Sequence, residues 1–474
     1  MASQTSDLAH GLTAAPPRAL PIAALGLWLR HHQRAIRRVQ WAVIAIYAAL
    51  LIVPALAPEP TRTSHIWSSV VLFAQFAFWG IWWPFVLVSM VLIGRTWCGV
   101  FCPEGALSEI VSARGLGRAT PHWIKWRGWP FAAFVATTIY GQMVSVYQYP
   151  KPVLVILGGS TLAAMAVGFV YGRDKRVWCR YLCPVNGVFG LLAKLAPVHY
   201  AVDRVAWDEW RRGPHGKAPA LNCAPLVAVR TMRGASACHM CGRCAGFKDA
   251  VALELRPTSQ EVVRVAGRDP SPWETALIVF GLLGVAPGAF LWSSSPWLVT
   301  IKQRLAEWLV AHDLVFLLEP TLPWWILTNY PAHNDTLSPL DGALLVAYIL
   351  ATAVVLGAAI LVCLAAAARA LGPFAAARVH HLAQSLIPIA ACGVFLGLSA
   401  TTLGQLRADG LSLAFVPPLR IALLVGASAW SVGLAWSVAG VYARSVPART
   451  AAATSVGVAV AISAFNWVLM FWIW

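Results

Sequence analysis

Two related stretches decide the fold, Trp97-Cys98-Gly99-Val100-Phe101-Cys102-Pro103 and Trp178-Cys179-Arg180-Tyr181-Leu182-Cys183-Pro184. Each stretch reads W-C-x3-C-P and each follows a long apolar run. Cys98 and Cys179 are 81 positions apart, as are Cys102 and Cys183. The equal spacing predicts an internal two-fold repeat that brings the two C-x3-C pairs together at one interface.

A third group of cysteines lies downstream of the repeat. Cys238, Cys241 and Cys244 form a C-x2-C-x2-C run, and Cys223 lies fifteen residues before it. This spacing is typical of thiolates that bind ferredoxin-type iron–sulfur clusters. Eight of the ten cysteines belong to the three groups, and two [4Fe-4S] clusters need eight thiolates. The predicted cluster ligands are Cys98, Cys102, Cys179, Cys183, Cys223, Cys238, Cys241 and Cys244.

The spacing favours iron–sulfur over zinc but leaves the pairing of the cysteines open. C-x2-C-x2-C crowds three thiolates onto one zinc ion. In a bacterial ferredoxin the run continues as C-x3-C-P, which would place a fourth cysteine at Lys248. In one pairing the four C-x3-C cysteines share a cluster and Cys223 completes the other. In the second pairing a C-P cysteine completes the downstream cluster, and Cys223 is a buried free thiol.

Composition indicates a membrane protein. The 474 residues are 59% hydrophobic and only 12% charged, whereas soluble domains are about half apolar and about a quarter charged. Several apolar runs approach the roughly 20 residues that cross a bilayer as a helix. The net charge of +17 is explained by basic loops on the cytoplasmic side, and no base-stacking or groove-reading motif suggests a nucleic-acid partner.

We therefore predict a mainly α-helical, polytopic membrane protein with about nine transmembrane helices. A cytoplasmic arm, 1–39, precedes the two-fold repeat of helix pairs, 40–184. A small cytoplasmic ferredoxin-like domain follows at 185–272, and a C-terminal transmembrane region, 273–474, contains an outer loop at 293–340. Basic residues beside the cysteines place the N-terminus and both clusters on the cytoplasmic side of a bacterial inner membrane. The predicted spans are about 41–57, 67–93, 129–147, 153–171, 275–292, 343–366, 382–403, 419–442 and 451–474.

The histidines suggest at most one further metal site. No histidines face one another within the predicted spans, which disfavours haem with two axial histidines, although haem, flavin and quinone stay open as further cofactors. In the outer loop, His312, His333 and Asp335 form a candidate metal site, with an ordinary solvated loop as the alternative. His380 and His381 lie at a basic span edge and are predicted to be surface residues.

Charged residues beside the cysteines are candidates for tuning the clusters. Arg95, Arg180 and Arg243 each lie close to a predicted ligand. Their positive charge is expected to raise the cluster potentials and to provide a docking face for an acidic soluble carrier. His239, inside the C-x2-C-x2-C run, is expected to tune a cluster by hydrogen bonding rather than to ligate it.

The W-C-x3-C-P pairs, each with a Gly-Arg upstream, together with the ferredoxin-like run resemble the membrane-bound polyferredoxin family, which includes the NapH, NosR and CcoG types. The resemblance covers about residues 67–257. The run at 238–246, the upstream cysteine and the extra C-terminal spans are more similar to the FtrD type, a component of bacterial ferrous-iron uptake systems. This resemblance implies electron transfer linked to periplasmic iron oxidation. It also implies an iron permease and a periplasmic metal-binding protein as partners.

The expected function is that of an electron carrier rather than a stand-alone catalyst. Its partners would be membrane lipid, other membrane or periplasmic redox proteins and a soluble cytoplasmic electron carrier. One alternative is a quinol-oxidising or maturation subunit of a respiratory reductase, serving nitrate reduction, nitrous-oxide reduction or cytochrome oxidase assembly. A transporter is a weaker alternative, because the predicted spans hold almost no ionisable residues.

Overall fold

Long apolar helices make up most of the protein. The computed structural model describes residues 21–61, 63–212 and 220–474. Within these ranges, eight helices are long and apolar enough to cross a membrane. They are Gln33–Leu56, Val70–Ile93, Pro150–Tyr171, Pro272–Ser294, Pro339–Ala370, Ala376–Ala408, Val416–Tyr442 and Val446–Ile473. The prediction of a mainly helical, multi-pass membrane protein is confirmed.

The remaining predicted span, at 129–147, is a shorter helix, Trp129–Met143, of 15 residues. At about 1.5 Å per residue it covers roughly 22 Å. Its C-terminal end meets the segment predicted as the outer loop, because the Thr328 amide donates to the Met143 carbonyl at 2.8 Å. The Tyr140 hydroxyl also donates to the Trp325 carbonyl, at 2.7 Å. This helix therefore leads the chain from the side that holds the cysteine loops, here called the cysteine side, to the opposite side.

The opposite side carries the segment between the spans Pro272–Ser294 and Pro339–Ala370. It begins with an amphipathic and largely exposed helix, Pro296–Ala311. It ends with a short antiparallel pair of strands, Asn329–Tyr330 and Asp335–Thr336. The Trp297 and Trp474 rings lie 5.1 Å apart, so the end of the last span also lies on this side.

The domain after the repeat is built on two antiparallel strands. Val198–Val202 pairs with Val251–Leu255, and Tyr200 lies opposite Leu253 in the register. Both of these side chains are buried, in a small core that includes cysteines of the C-x2-C-x2-C run. The shorter helices on the cysteine side are Pro103–Ser112, Val177–Tyr181, Asn186–Ala193 and Arg204–Arg212.

Part of the predicted N-terminal arm packs on this domain. The helix Pro21–His31 lies against the second strand, and Arg30 Nη1 donates to the Ala245 carbonyl at 2.6 Å. Gly26 leaves room for this contact, since a Cβ there would stand 2.9 Å from Leu253 Cβ. Residues 33–39 of the predicted arm already belong to the first span, Gln33–Leu56, and residues 1–20 lie outside the described residues.

Four of the spans widen into π-helical turns. These turns are Phe76–Trp82, Leu154–Gly158, Leu277–Val285 and Leu469–Ile473. Such wide turns in otherwise α-helical segments are frequent at functional sites. Residues of the first two turns, and neighbours of the third, line a cavity that reaches the cysteine loops.

Candidate metal centres

Both W-C-x3-C loops close with the same backbone hydrogen bond. The Cys102 amide donates to the Trp97 carbonyl at 2.8 Å, and the Cys183 amide donates to the Trp178 carbonyl at 3.0 Å. This shared wide turn supports the two-fold repeat at the level of the backbone. In the first loop, Cys102 Sγ accepts a hydrogen bond from the Gly105 amide at 3.4 Å, at the start of the helix Pro103–Ser112. A helix N-terminus stabilises negative charge, so this position suits a thiolate.

The two loops bring four cysteines together in what we call the repeat site, which consists of Cys98, Cys102, Cys179 and Cys183. All four line the same cavity. A Cβ on Gly105 would stand 3.5 Å from Cys179 Sγ and 3.6 Å from Cys102 Sγ. The two halves of the repeat therefore meet across this glycine.

Burial makes the thiolate form costly at the repeat site. It raises the pKa of Cys179 to about 12 and that of Cys183 well above its usual range. Burial also raises the pKa of Cys102, and the neighbouring Cys179 and Cys98 sulfurs raise it further. A cationic metal group would stabilise the thiolates, because metal coordination deprotonates a thiol even where burial opposes it. The donor set therefore fits an iron–sulfur group.

The second group, which we call the domain site, consists of Cys223, Cys238, Cys241 and Cys244. Met240 and Gly242 have positive φ angles of 55° and 79°, which wind the run tightly. The Met240 amide also donates to Cys238 Sγ at 3.4 Å. Hydrogen bonds from backbone amides to sulfur are among the features that set the potential of an iron–sulfur cluster.

Cys223 lies beside the C-x2-C-x2-C run. Burial raises the pKa of Cys244, and the sulfurs of Cys238, Cys241 and Cys223 raise it further. The neighbouring sulfurs that raise the pKa of Cys183 include those of Cys179 and Cys102. Cys223 thus lies near the C-x2-C-x2-C run, as the first of the two predicted pairings requires, and the pairing itself stays a prediction.

Within the described ranges, no three His, Cys, Asp or Glu side chains converge on the position of one metal ion. Four thiolates on one zinc ion, each bonded at about 2.3 Å, would hold their sulfurs about 3.8 Å apart. A cluster of four irons places its ligands around a larger body, because each iron takes its own cysteine.

The two sites are in direct backbone contact. A Cβ on Gly99 would lie 2.0 Å from the His239 carbonyl oxygen and 2.9 Å from the Cys241 nitrogen. Only glycine fits at this position without displacing the domain site. The span Gln33–Leu56 holds both loops, since Gln40 donates to the Gly99 carbonyl at 3.2 Å and Gln33 donates to the Cys241 carbonyl at 2.9 Å.

A buried ion-pair network also joins the sites. The Glu109 carboxylate lies 2.7 Å from Arg176 Nε and 2.6 Å from Arg243 Nη2. Burial raises the pKa of Glu109, but the two arginines more than offset this and hold the net pKa below its usual range. Arg176 also donates to the Cys98 carbonyl. The sequence analysis did not identify Glu109 and Arg176 as site residues. The only signal in the sequence was that Glu109 is an acidic residue in a mainly basic region.

Two of the predicted tuning residues are buried. Arg95 is 4% exposed and donates to the Ser236 carbonyl at 2.9 Å and to Asn186 Oδ1 at 2.6 Å. It therefore ties the domain to the repeat and is not part of a docking face, contrary to the prediction. His239 is 3% exposed, and its Nδ1 has no partner among the described residues.

Within the part of the chain that the structure describes, the three candidate metal ligands on the opposite side do not converge on one metal position. His312 hydrogen-bonds to the Trp308 carbonyl at 2.7 Å. His333 pairs with Glu59, and Asp335 accepts a hydrogen bond from Tyr149 at 2.8 Å.

The prediction that His381 is a surface residue is wrong. Its side chain is 1% exposed, and its ring nitrogens bond to the Tyr442 hydroxyl and the Val262 carbonyl, both at 2.8 Å. It links the domain to the C-terminal spans.

The fold and the cysteine geometry define a multi-pass membrane protein of the ferredoxin-type iron–sulfur class. A family model described as a 4Fe-4S binding domain matches residues 75–123 and 156–200, which are the two halves of the repeat. In these two segments the chain is similar to 4Fe-4S binding domains, and the curated relatives described next include electron-transport and ferredoxin-type proteins.

Three curated proteins are similar to parts of the chain. YccM of Escherichia coli, a candidate electron transport protein, is 24% identical over 237 aligned positions, and the match covers 44% of this chain and 65% of YccM. The methylamine utilization ferredoxin-type protein MauN of Methylorubrum extorquens is 28% identical over 25% of this chain and 45% of MauN. The regulatory protein NosR of Pseudomonas aeruginosa is 23% identical over 35% of this chain and 25% of NosR. The chain thus spans less than two thirds of each relative, and no solved structure matches it significantly.

Proposed function

We propose that the protein carries single electrons through two [4Fe-4S] clusters, one at the repeat site and one at the domain site, on the cytoplasmic side of the inner membrane. The observation that carries this proposal is the division of eight thiols into two sets in backbone contact at Gly99. The protein supplies ligands, insulation and charge, while the clusters supply the redox chemistry. The Glu109 network, whose arginines reach both sites, holds the two ligand sets at a fixed separation.

Metal analysis and EPR spectroscopy of the anaerobically purified protein test this proposal. We expect about eight iron and eight sulfide ions per chain and two [4Fe-4S] signals after reduction. Stoichiometric zinc without an EPR signal would refute it. About four iron ions and one signal would refute the two-cluster form.

We further propose that this electron transfer supports periplasmic iron oxidation with ferrous-iron uptake, or metal reduction. The similarity of the run at 238–246 to the FtrD type supports this pathway. The opposite side offers carboxylate, imidazole and phenol groups at Glu59, His333, Asp335 and Tyr149, which suit a metal-carrying partner.

Radioactive iron uptake by cells that express the protein tests the pathway. We expect Cys98→Ala to reduce uptake to the level of cells that lack the protein, while the control Cys392→Ala leaves uptake unchanged. Normal uptake in Cys98→Ala cells, together with a defect in nitrate or nitrous-oxide respiration, would refute the iron pathway in favour of a respiratory reductase.

A further inference from the structure

A buried tyrosine hydroxyl in the domain has no hydrogen-bond partner. Tyr200 lies in the strand Val198–Val202 and is 2% exposed, and its hydroxyl bonds to no atom of the described residues. Buried polar groups are nearly always hydrogen-bonded, so each exception in a native structure needs a physical explanation. A phenol keeps its proton at neutral pH, and this hydroxyl is therefore a hydrogen-bond donor in search of an acceptor.

The hydroxyl lies beside the C-x2-C-x2-C run. A Cβ on Gly242, inside the run, would stand 3.3 Å from the Tyr200 oxygen. Tyr200 shares a small core with Cys238, and Cys244 packs against that core. Burial raises the pKa of Tyr200, and the three sulfurs of the run raise it further. The oxygen is therefore close to these sulfurs, although it donates to none of the thiols directly.

The N-terminal helix Pro21–His31 covers the hydroxyl. A Cβ on Gly26 of this helix would stand 3.4 Å from the ring of Tyr200 and 3.5 Å from its oxygen. On the other side, a Cβ on Gly242 would lie 2.5 Å from Leu29 Cβ. The two glycines thus allow the helix and the run to close around the hydroxyl and separate it from bulk water. The groups left to accept its hydrogen bond are the sulfur atoms of the domain site and of the group that this site binds.

We propose that the Tyr200 hydroxyl donates a hydrogen bond to a sulfur atom of the [4Fe-4S] cluster bound at the domain site. This inference rests on the proposed electron-transfer function and names a residue that sets the potential of one of its two clusters. A hydrogen bond to sulfur stabilises the more negative, reduced cluster more than the oxidised one, and hydrogen bonds of this kind are among the features that set cluster potentials. Tyr200 therefore makes the domain site a better electron acceptor than its cysteines alone would.

Redox titration followed by EPR of the full chain tests the inference with Tyr200→Phe, which keeps the ring and removes the hydroxyl. We expect the one-electron equilibrium of the domain site to shift about tenfold, which is about 59 mV towards lower potential, and the repeat-site potential to stay unchanged. Tyr330→Phe is the matched control, because the Tyr330 hydroxyl is also buried and without a partner among the described residues but lies on the opposite side. This control should leave both potentials unchanged.

A second measurement changes the strength of the donor instead of removing it. Incorporation of 3-fluorotyrosine at all ten tyrosines makes each phenol more acidic and a stronger donor. We expect the domain-site potential to rise in the wild-type chain and to stay unchanged in Tyr200→Phe. The wild-type arm tests the same hydrogen bond even if the Tyr200→Phe chain does not fold.

An unchanged domain-site potential in Tyr200→Phe, an equal shift at both sites, or no rise with 3-fluorotyrosine would overturn the inference. The EPR spectra separate this failure from failure of the proposed function. Two [4Fe-4S] signals whose potentials do not respond to Tyr200 would refute only the role of this residue. A wild-type protein without cluster signals would refute the electron-transfer function on which the inference rests.

Discussion

The repeat site and the domain site hold the same number of thiols but are built in opposite ways. The repeat site takes two cysteines from each of two loops 81 positions apart and depends on the packing of spans around Gly105. The domain site takes three cysteines from seven consecutive residues, shaped by local positive φ angles, and adds Cys223. One site is therefore a product of membrane helix packing and the other mainly of local backbone geometry. We expect them to fail separately when a ligand is lost and together when their interface is damaged.

Loss of a ligand should have the largest effect. Because each iron of a cluster needs its own thiolate, Cys98→Ala should abolish the repeat-site signal and Cys223→Ala the domain-site signal. Each variant should lose about half of the bound iron and retain the other EPR signal. Cys392→Ala, which lies outside both sites, is the matched control. Two full signals in Cys223→Ala would instead favour the pairing with exchanged ligands.

Glu109→Gln should damage both sites at once. It leaves the buried Arg176 and the half-buried Arg243 without this negative partner, and breaking the buried Arg176–Glu109 pair costs about 3–5 kcal/mol. Thermal unfolding measures this loss, and EPR at controlled potential should show both cluster potentials raised by the uncompensated positive charge. The control Asp269→Asn removes an exposed partner of Arg127, and we expect a change below about 1 kcal/mol. Equal stability of the two variants would refute a structural role for the network.

Gly99→Ala tests the direct contact between the sites. The added methyl group would overlap the His239 carbonyl and the Cys241 nitrogen, and we expect overpacking to cost about 1–3 kcal/mol. A larger separation of the clusters should reduce the broadening of their EPR signals by spin–spin interaction. In the control Gly433→Ala the new methyl group meets no atom within 4 Å. Unchanged broadening in Gly99→Ala would show that the contact at Gly99 does not set the distance between the clusters.

Arg243→Gln should have the smallest effect and should distinguish the sites. Arg243 lies inside the domain-site run, while Arg176 keeps its bond to Glu109. We expect the domain-site potential to fall by less than about 59 mV, a tenfold step for one electron, and the repeat-site potential to change less. Redox titration followed by EPR checks this result. Equal shifts at both sites would show that the charge acts through the whole network.

The cysteines of the domain site could be predicted from the sequence, whereas the long-range contacts around them could not. The C-x2-C-x2-C spacing is local, so it indicated three candidate ligands directly. The pairing stayed open because spacing along the chain does not reveal which sulfurs meet in space. Glu109 was missed for the same reason, since its two arginine partners lie 67 and 134 positions away.

The environments of His381 and Trp83 could not be predicted from their sequence neighbours. His381 follows a basic stretch that suggests a surface position, but hydrogen bonds from two distant segments satisfy its ring and allow burial. Trp83 is one of 24 tryptophans and has no distinguishing neighbour in the sequence. Its indole nitrogen has no hydrogen-bond partner among the described residues, and this becomes visible only when the spans that surround it are assembled.

The contact between Arg30 and Ala245 joins two segments that are synthesised at different times. The two residues are 215 positions apart, so at about 5–20 residues per second the ribosome makes the second on the order of 10 to 40 s after the first. The helix Pro21–His31 therefore cannot dock on the domain until the two-fold repeat and the following domain have been synthesised. Docking of this helix on the domain therefore follows synthesis of the C-x2-C-x2-C run, which ends one residue before Ala245.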